Sequence, residues 1–95
     1  MILLPEFEFD EAKSRTNAEK HGIDFHEAQE LWLDPYLMRR AARSRDEVRA
    51  MYVGVIEDRH WAAIVTFRGP VVRLISVRRA RSEEVRTYER GRARS

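Results

Sequence analysis

The 95-residue sequence contains no cysteine, so it builds neither a disulfide scaffold nor a thiolate metal site. That absence fits a reducing compartment. Glycine is scarce, at four residues, and none of the four falls in a phosphate-cradling loop motif. No apolar run approaches the ~18 residues of a membrane span. The N-terminus, "MILLPEFEFDEAK", lacks the basic start and apolar core of a signal peptide. The expectation is a soluble cytoplasmic protein with no membrane association. At this length one domain, 1–95, is expected. A domain this small is only modestly stable alone, so partner binding is a live option.

What the sequence does hold is charge. The net value of +2 conceals an asymmetry. Residues 1–35 carry nine acids and three bases, whereas residues 36–95 carry seven acids and fifteen bases. All fifteen are arginine, and the only two lysines are Lys13 and Lys20. The guanidinium fork fits phosphate or carboxylate. Charge alone leaves two readings open: a nucleic-acid or acidic-protein partner, or the solvated faces of an arginine-rich chain.

Periodicity predicts an α+β domain. Phe7 and Phe9 alternate with Glu6 and Glu8 as a short strand does. Asp10 caps a first helix over Glu11–His21, and Gly22 ends it. Asp24 and Glu27 form a capping box for a second helix, with Ile23 and Ala28 at the staple positions. That helix buries Phe25, Ala28, Leu31 and Trp32 and stops at Pro35. Strands follow at 48–56, 60–67 and 71–79, with an edge strand at 36–42. Ser82 caps a last helix that turns Val85 and Tyr88 to the sheet, and "GRARS" reads as a frayed tail. The expected order is β-α-α-β-β-β-β-α. It gives an antiparallel β-sheet with an N-terminal helical pair and a C-terminal helix packed on it.

Two clusters carry candidate chemistry. The first helix has only Ala12 and Ala18 as clearly apolar residues, so burial does not explain it. Lys13, Asn17 and Lys20 fall within ~60° of one another around it, with His21 at the edge of that arc. This is either a solvated face or a phosphate-contacting surface. On strand 71–79, strict alternation puts Val72, Leu74, Ser76 and Arg78 on one face and Arg73, Ile75, Val77 and Arg79 on the other. An arginine beside apolar residues needs a carboxylate or a phosphate. Glu47 and Arg49 form a similar charged pair. No metal is expected, because His21, His26 and His60 have no partners at ligand spacing. His26 has Glu30 one turn on, which reads as a surface pair. Gly54 inside a strand pattern suggests a bulge or a close approach.

In their order these residues resemble the BrnT family of toxin ribonucleases. "FEFDEAKSRTNAEKHGIDFHEA" is similar to the family's N-terminal signature at Phe7, Phe9, Asp10, Lys13, Asn17, Lys20, His21, Gly22, Ile23, Phe25 and Ala28. "EVRAMYVG" resembles its middle block at Glu47, Arg49 and Gly54. "VRLISVRRARSEEVRTYE" resembles its closing block at Arg73, Ile75, Ser76, Arg78, Arg79, Ala80, Glu84 and Tyr88. The likeness runs from about residue 6 to 89. It departs where many relatives carry a histidine–serine pair and this chain has Arg43 and Ser44. Ala50 replaces a common aromatic, and Val77 a small residue.

The resemblance implies a RelE-like fold and RNA cleavage without metal or other cofactor, which blocks translation. It implies a cognate ribbon-helix-helix antitoxin, BrnA-like, in a complex of two copies of each, with DNA bound only through that antitoxin. The ribosome is a further candidate partner. Metal-free cleavage needs a base for the ribose 2′-OH, cations for the phosphorane and an acid for the leaving oxygen. The candidates are Arg49, Arg78 and Lys13 or Lys20 for the charge. His21 or Tyr88 serves for proton transfer, histidine titrating near ~6.5 as a residue type. Lys13, Asn17, Lys20, Arg73 and Arg79 are candidate RNA contacts. The alternative is a non-catalytic module of the same fold that binds antitoxin or nucleic acid, which Arg43 in place of histidine favours. A DNA-binding regulator ranks last, for want of a recognition helix.

Overall fold

The computed structural model describes residues 4–42 and 47–95. Arg43 and Ser44, where the family's histidine–serine pair was sought, lie outside the described residues.

Five strands form one sheet in the order β1-β5-β4-β3-β2. They are β1 (Phe7–Glu8), β2 (Met38–Ala42), β3 (Arg49–Ile56), β4 (Arg59–Arg68) and β5 (Val71–Arg79). Strands β2 to β5 are an antiparallel meander. The β3–β4 hairpin turns on Glu57 and Asp58, both at positive φ (47° and 68°). That pair of left-handed residues matches the twist of the flanking strands.

The expected all-antiparallel sheet needs a correction, because β1 lies parallel to β5, with Phe7 opposite Val72. The route of the chain explains it. Helices α1 (Glu11–His21) and α2 (Phe25–Ala28) carry the chain from the β1 edge to the β2 edge. The meander then returns and sets β5 beside β1 running the same way.

The second helix is also shorter than its pattern predicts. After four α-helical residues it tightens into a 3-10 segment, Gln29–Leu33. Asp34 N–H donates to the Leu31 carbonyl at 3.0 Å, an i to i−3 bond that closes the segment. Pro35 bars any continuation. The last helix, α3 (Ser82–Ala93), is capped one residue earlier than expected, at Arg81. It also runs through Gly91–Ala93, which the tail reading had left out.

The sheet has two packed faces. On one, Phe25, Ala28 and Leu31 bury against Ala63, Val65, Leu74 and Val77. Each such large side chain contributes ~1.5–3 kcal/mol when fully buried. On the other, Tyr88 of α3 packs on Met51, Val53 and Ala62. Gly54 marks a close approach rather than a bulge. A Cβ there would meet Leu37 Cδ1 at 3.0 Å, with Asp34 Oδ2 and Leu31 Cδ2 at 3.1 Å.

The bulge lies in β5. Ile64 pairs with Ser76 and Val65 with Leu74, so Ile75 is skipped. The expected alternation therefore slips by one residue. Val72, Leu74 and Val77 share the helical-pair face. Arg73, Ser76 and Arg78 sit opposite Thr66, Ile64 and Ala62 on the α3 face.

Candidate functional site

Helix α1 is held at both ends by local chemistry. The Asp10 carboxylate accepts from Lys13 N at 3.1 Å, and Gly22 ends the helix at φ 80°. Its docking is polar. Ser14 Oγ accepts from Phe25 N at 2.9 Å. Asn17 is buried, and its Nδ2 donates to the carbonyls of Ile23 and Val77, both at 2.8 Å. Its Oδ1 accepts from Val77 N at 3.1 Å. Beyond Arg73, β5 has no strand on its outer side. The Asn17 carboxamide stands there in place of a neighbouring strand's peptide group. The expected exposed stripe thus contains one buried, fully bonded member.

The other members surround it. Lys13, Thr16, Asn17, Lys20 and His21 of α1 meet Ile75 and Ser76 of the β5 bulge around a hollow of about 230 Å³. Among the described residues, no carboxylate lies within ion-pair distance of Lys13, Lys20 or His21. Lys20 and His21 also sit in the last helical turn, where positive charge suits the helix dipole. Ser76, read from the sequence only as a neighbour of Arg78, belongs to both the hollow and the α3 face. Its place depends on the bulge, which no residue pattern announces.

The arginines are placed differently. Arg78 makes a two-pronged contact with Glu84, at 2.8 and 2.9 Å. The guanidinium hydrogen bonds hold the Glu84 carboxyl down to about 2, against burial, with help from Arg81 N. Arg78 is itself raised by the same contact. Arg40 forks onto Glu83 at 3.2 and 3.0 Å. Arg49 Nε donates to Glu47 at 2.9 Å, and Arg73 lies 3.5 Å from Glu8. Arg79 points to the helical-pair face, its guanidinium 5.4 Å from the Trp61 ring centre.

Tyr88 is drawn elsewhere. Its hydroxyl donates to Asp34 Oδ2 at 2.5 Å, and that oxygen also accepts from Val55 N at 2.9 Å. Burial, then the Asp34 bond and charge, push the phenol well above its usual value. Tyr88 lines a separate hollow with Asp34 and Tyr36. Asp34 was not singled out by sequence. His26 pairs with Glu11 of α1 at 3.0 Å rather than with Glu30, both side chains remaining exposed. Among the described residues, no three His, Asp or Glu side chains converge as a metal ion requires.

The hollow thus gathers two lysines and a histidine that, among the described residues, have no carboxylate partner. The family follows from comparison with known proteins. A model described as the ribonuclease toxin BrnT of type II toxin–antitoxin systems matches residues 9–84. The chain belongs to that family, and its class brings a protein antitoxin as partner. No curated protein matches the chain. Among the described residues, no helix is long and apolar enough to cross a membrane.

Proposed function

We propose that the protein is a metal-independent endoribonuclease that works at the α1–β5 hollow and inhibits translation. The supporting observation is the coincidence of Lys13, Lys20 and His21, none paired with a carboxylate among the described residues, around one concavity. Lys13 and Lys20 hold the scissile phosphate and offset the charge that grows on the phosphorane. His21 moves a proton to or from the reacting oxygens. Attack by the ribose 2′-OH leaves a 2′,3′-cyclic phosphate and a 5′-hydroxyl, so no water is consumed in the cleavage step. Arg73 and Arg78 lie on the Ser76 strand face with their charge engaged by Glu8 and Glu84, so they contribute less to holding the RNA than the lysines do. Arg49 lies further along that face. The RelE-like arrangement, a ribbon-helix-helix antitoxin in a 2:2 complex, DNA contact through that antitoxin and a cytoplasmic setting complete this reading. Ribosomal presentation of the RNA is compatible with it.

The test is cleavage of a labelled RNA by purified protein in EDTA. Cyclic-phosphate ends are expected, with rates lost in Lys13→Ala and His21→Ala. If Lys13→Ala, Lys20→Ala and His21→Ala all cleave normally while folded, the site is elsewhere. A second reading, a non-catalytic binding module, is favoured by one observation. Arg78 and Arg49, both candidate clamps, are already neutralised by Glu84 and Glu47. RNA binding without cleavage under the same conditions selects that reading.

A further inference from the structure

The acidity of residues 1–35 takes no part in the nuclease reading, which uses only their Lys13, Lys20 and His21. It contributes to a different surface, at the end of the molecule where the 3-10 segment meets the β3–β4 turn. Three adjoining hollows of about 410, 400 and 270 Å³ form a trough there. The first two share Glu30, Ile56 and Glu57, and the last two share Pro35, Tyr36 and Tyr88. Leu33 and Tyr36, 50% and 41% exposed, line it. Two half-exposed apolar side chains beside one concavity offer a partner apolar anchors. The lining carries Glu27, Glu30, Asp34 and Glu57 against Arg59 and Arg92, and among the described residues Glu30, Glu57 and Arg59 form no ion pair.

We propose that this trough is the docking groove for the antitoxin, through a segment whose apolar side chains are flanked by lysine or arginine. The chemistry selects that occupant. Four carboxylates against two guanidiniums, one of them paired with Glu89, disfavour an RNA backbone, so the groove and the cationic hollow divide the two partners between them. Apolar anchors set in a charged rim are how tight protein interfaces are built. A neutralising partner needs that tightness. The proposal rests on family membership and not on the nuclease assignment.

The experiment uses the antitoxin encoded in the reading frame beside the toxin's own. Neutralisation is read as growth rescue on co-expression, and affinity by titration calorimetry of the purified chains. Glu30→Lys with Glu57→Lys is expected to weaken binding about 100-fold, because like charges then face each other across the interface. Leu33→Asp is expected to weaken it at least tenfold through loss of a buried anchor. Both variants keep full growth arrest when expressed alone, which also reports that they fold. Lys13→Ala with Lys20→Ala leaves the affinity within about twofold, since those side chains lie outside the groove. Antitoxin affinity unchanged in both groove variants overturns the proposal. So does an effect confined to self-association in size-exclusion chromatography, which assigns the groove to a second copy of the chain.

Discussion

The α1–β5 hollow and the α3 face of the sheet both carry positive charge, but they hold it in opposite states. Around the hollow, Lys13, Lys20 and His21 meet no carboxylate among the described residues. On the sheet, Arg40, Arg49, Arg73 and Arg78 each contact a glutamate. The arginines dominate the composition, yet most of their charge on this face is already answered. The two lysines are a small minority and remain available. Counting basic residues therefore does not locate the uncompensated charge. What identifies a phosphate site is charge left uncompensated in a concave place.

The contrast can be broken most sharply by mutation at the hollow. Lys13→Ala or Lys20→Ala is expected to lower the RNA cleavage rate about 100-fold. Both side chains are exposed, so thermal melts should scarcely move. The arginine side is expected to behave in reverse. Arg78→Ala strands the buried Glu84 carboxylate and costs about 3 kcal/mol in urea unfolding. If Arg78→Ala abolishes cleavage without loss of stability, the two regions are not divided as described.

A third test uses pH. The Glu84 carboxyl is held at about 2 in the folded chain, against an ordinary 4.5. A depressed carboxyl contributes stability above its unfolded value and loses it as pH falls through the folded one. The contribution, about 2–3 kcal/mol, is thus present above pH 4.5 and disappears toward pH 2. Glu84→Gln should flatten that part of the stability curve, followed by urea midpoints at successive pH values. Tyr88→Phe removes one of three hydrogen bonds to Asp34 and is expected to cost about 1 kcal/mol, with cleavage unchanged. The smallest effect belongs to Arg79→Ala. It loses only the contact with Trp61, worth about 0.5 kcal/mol, and leaves RNA affinity the same, since Arg79 is not among the residues that line the hollow.

Some of this was legible in the residues and some was not. The bounds of α1 follow from Asp10 and Gly22, and those of β5 from its β-branched run, because these signals are local. The direction of β1 is not local; it depends on which edge the chain reaches after α2. The bulge at Ile75 was hidden because alternation carries no mark of a skipped residue. The burial of Ser14 and Asn17 was hidden for another reason. Polar side chains three apart on a helix read as a wet face unless the backbone groups they serve are known. The lysine stripe was visible, whereas its isolation from every described glutamate emerged only from the placement of Glu8, Glu47, Glu83 and Glu84.

The Asn17 carboxamide has a consequence beyond packing. Strand β1 covers only two residues of β5, which leaves a stretch of sheet edge that would template association with other chains. A single side-chain amide occupies the Val77 donor and acceptor on that edge. Asn17 thereby withdraws that pair of groups from the open edge. Its replacement by alanine should appear first as turbidity and seeded fibril growth on storage.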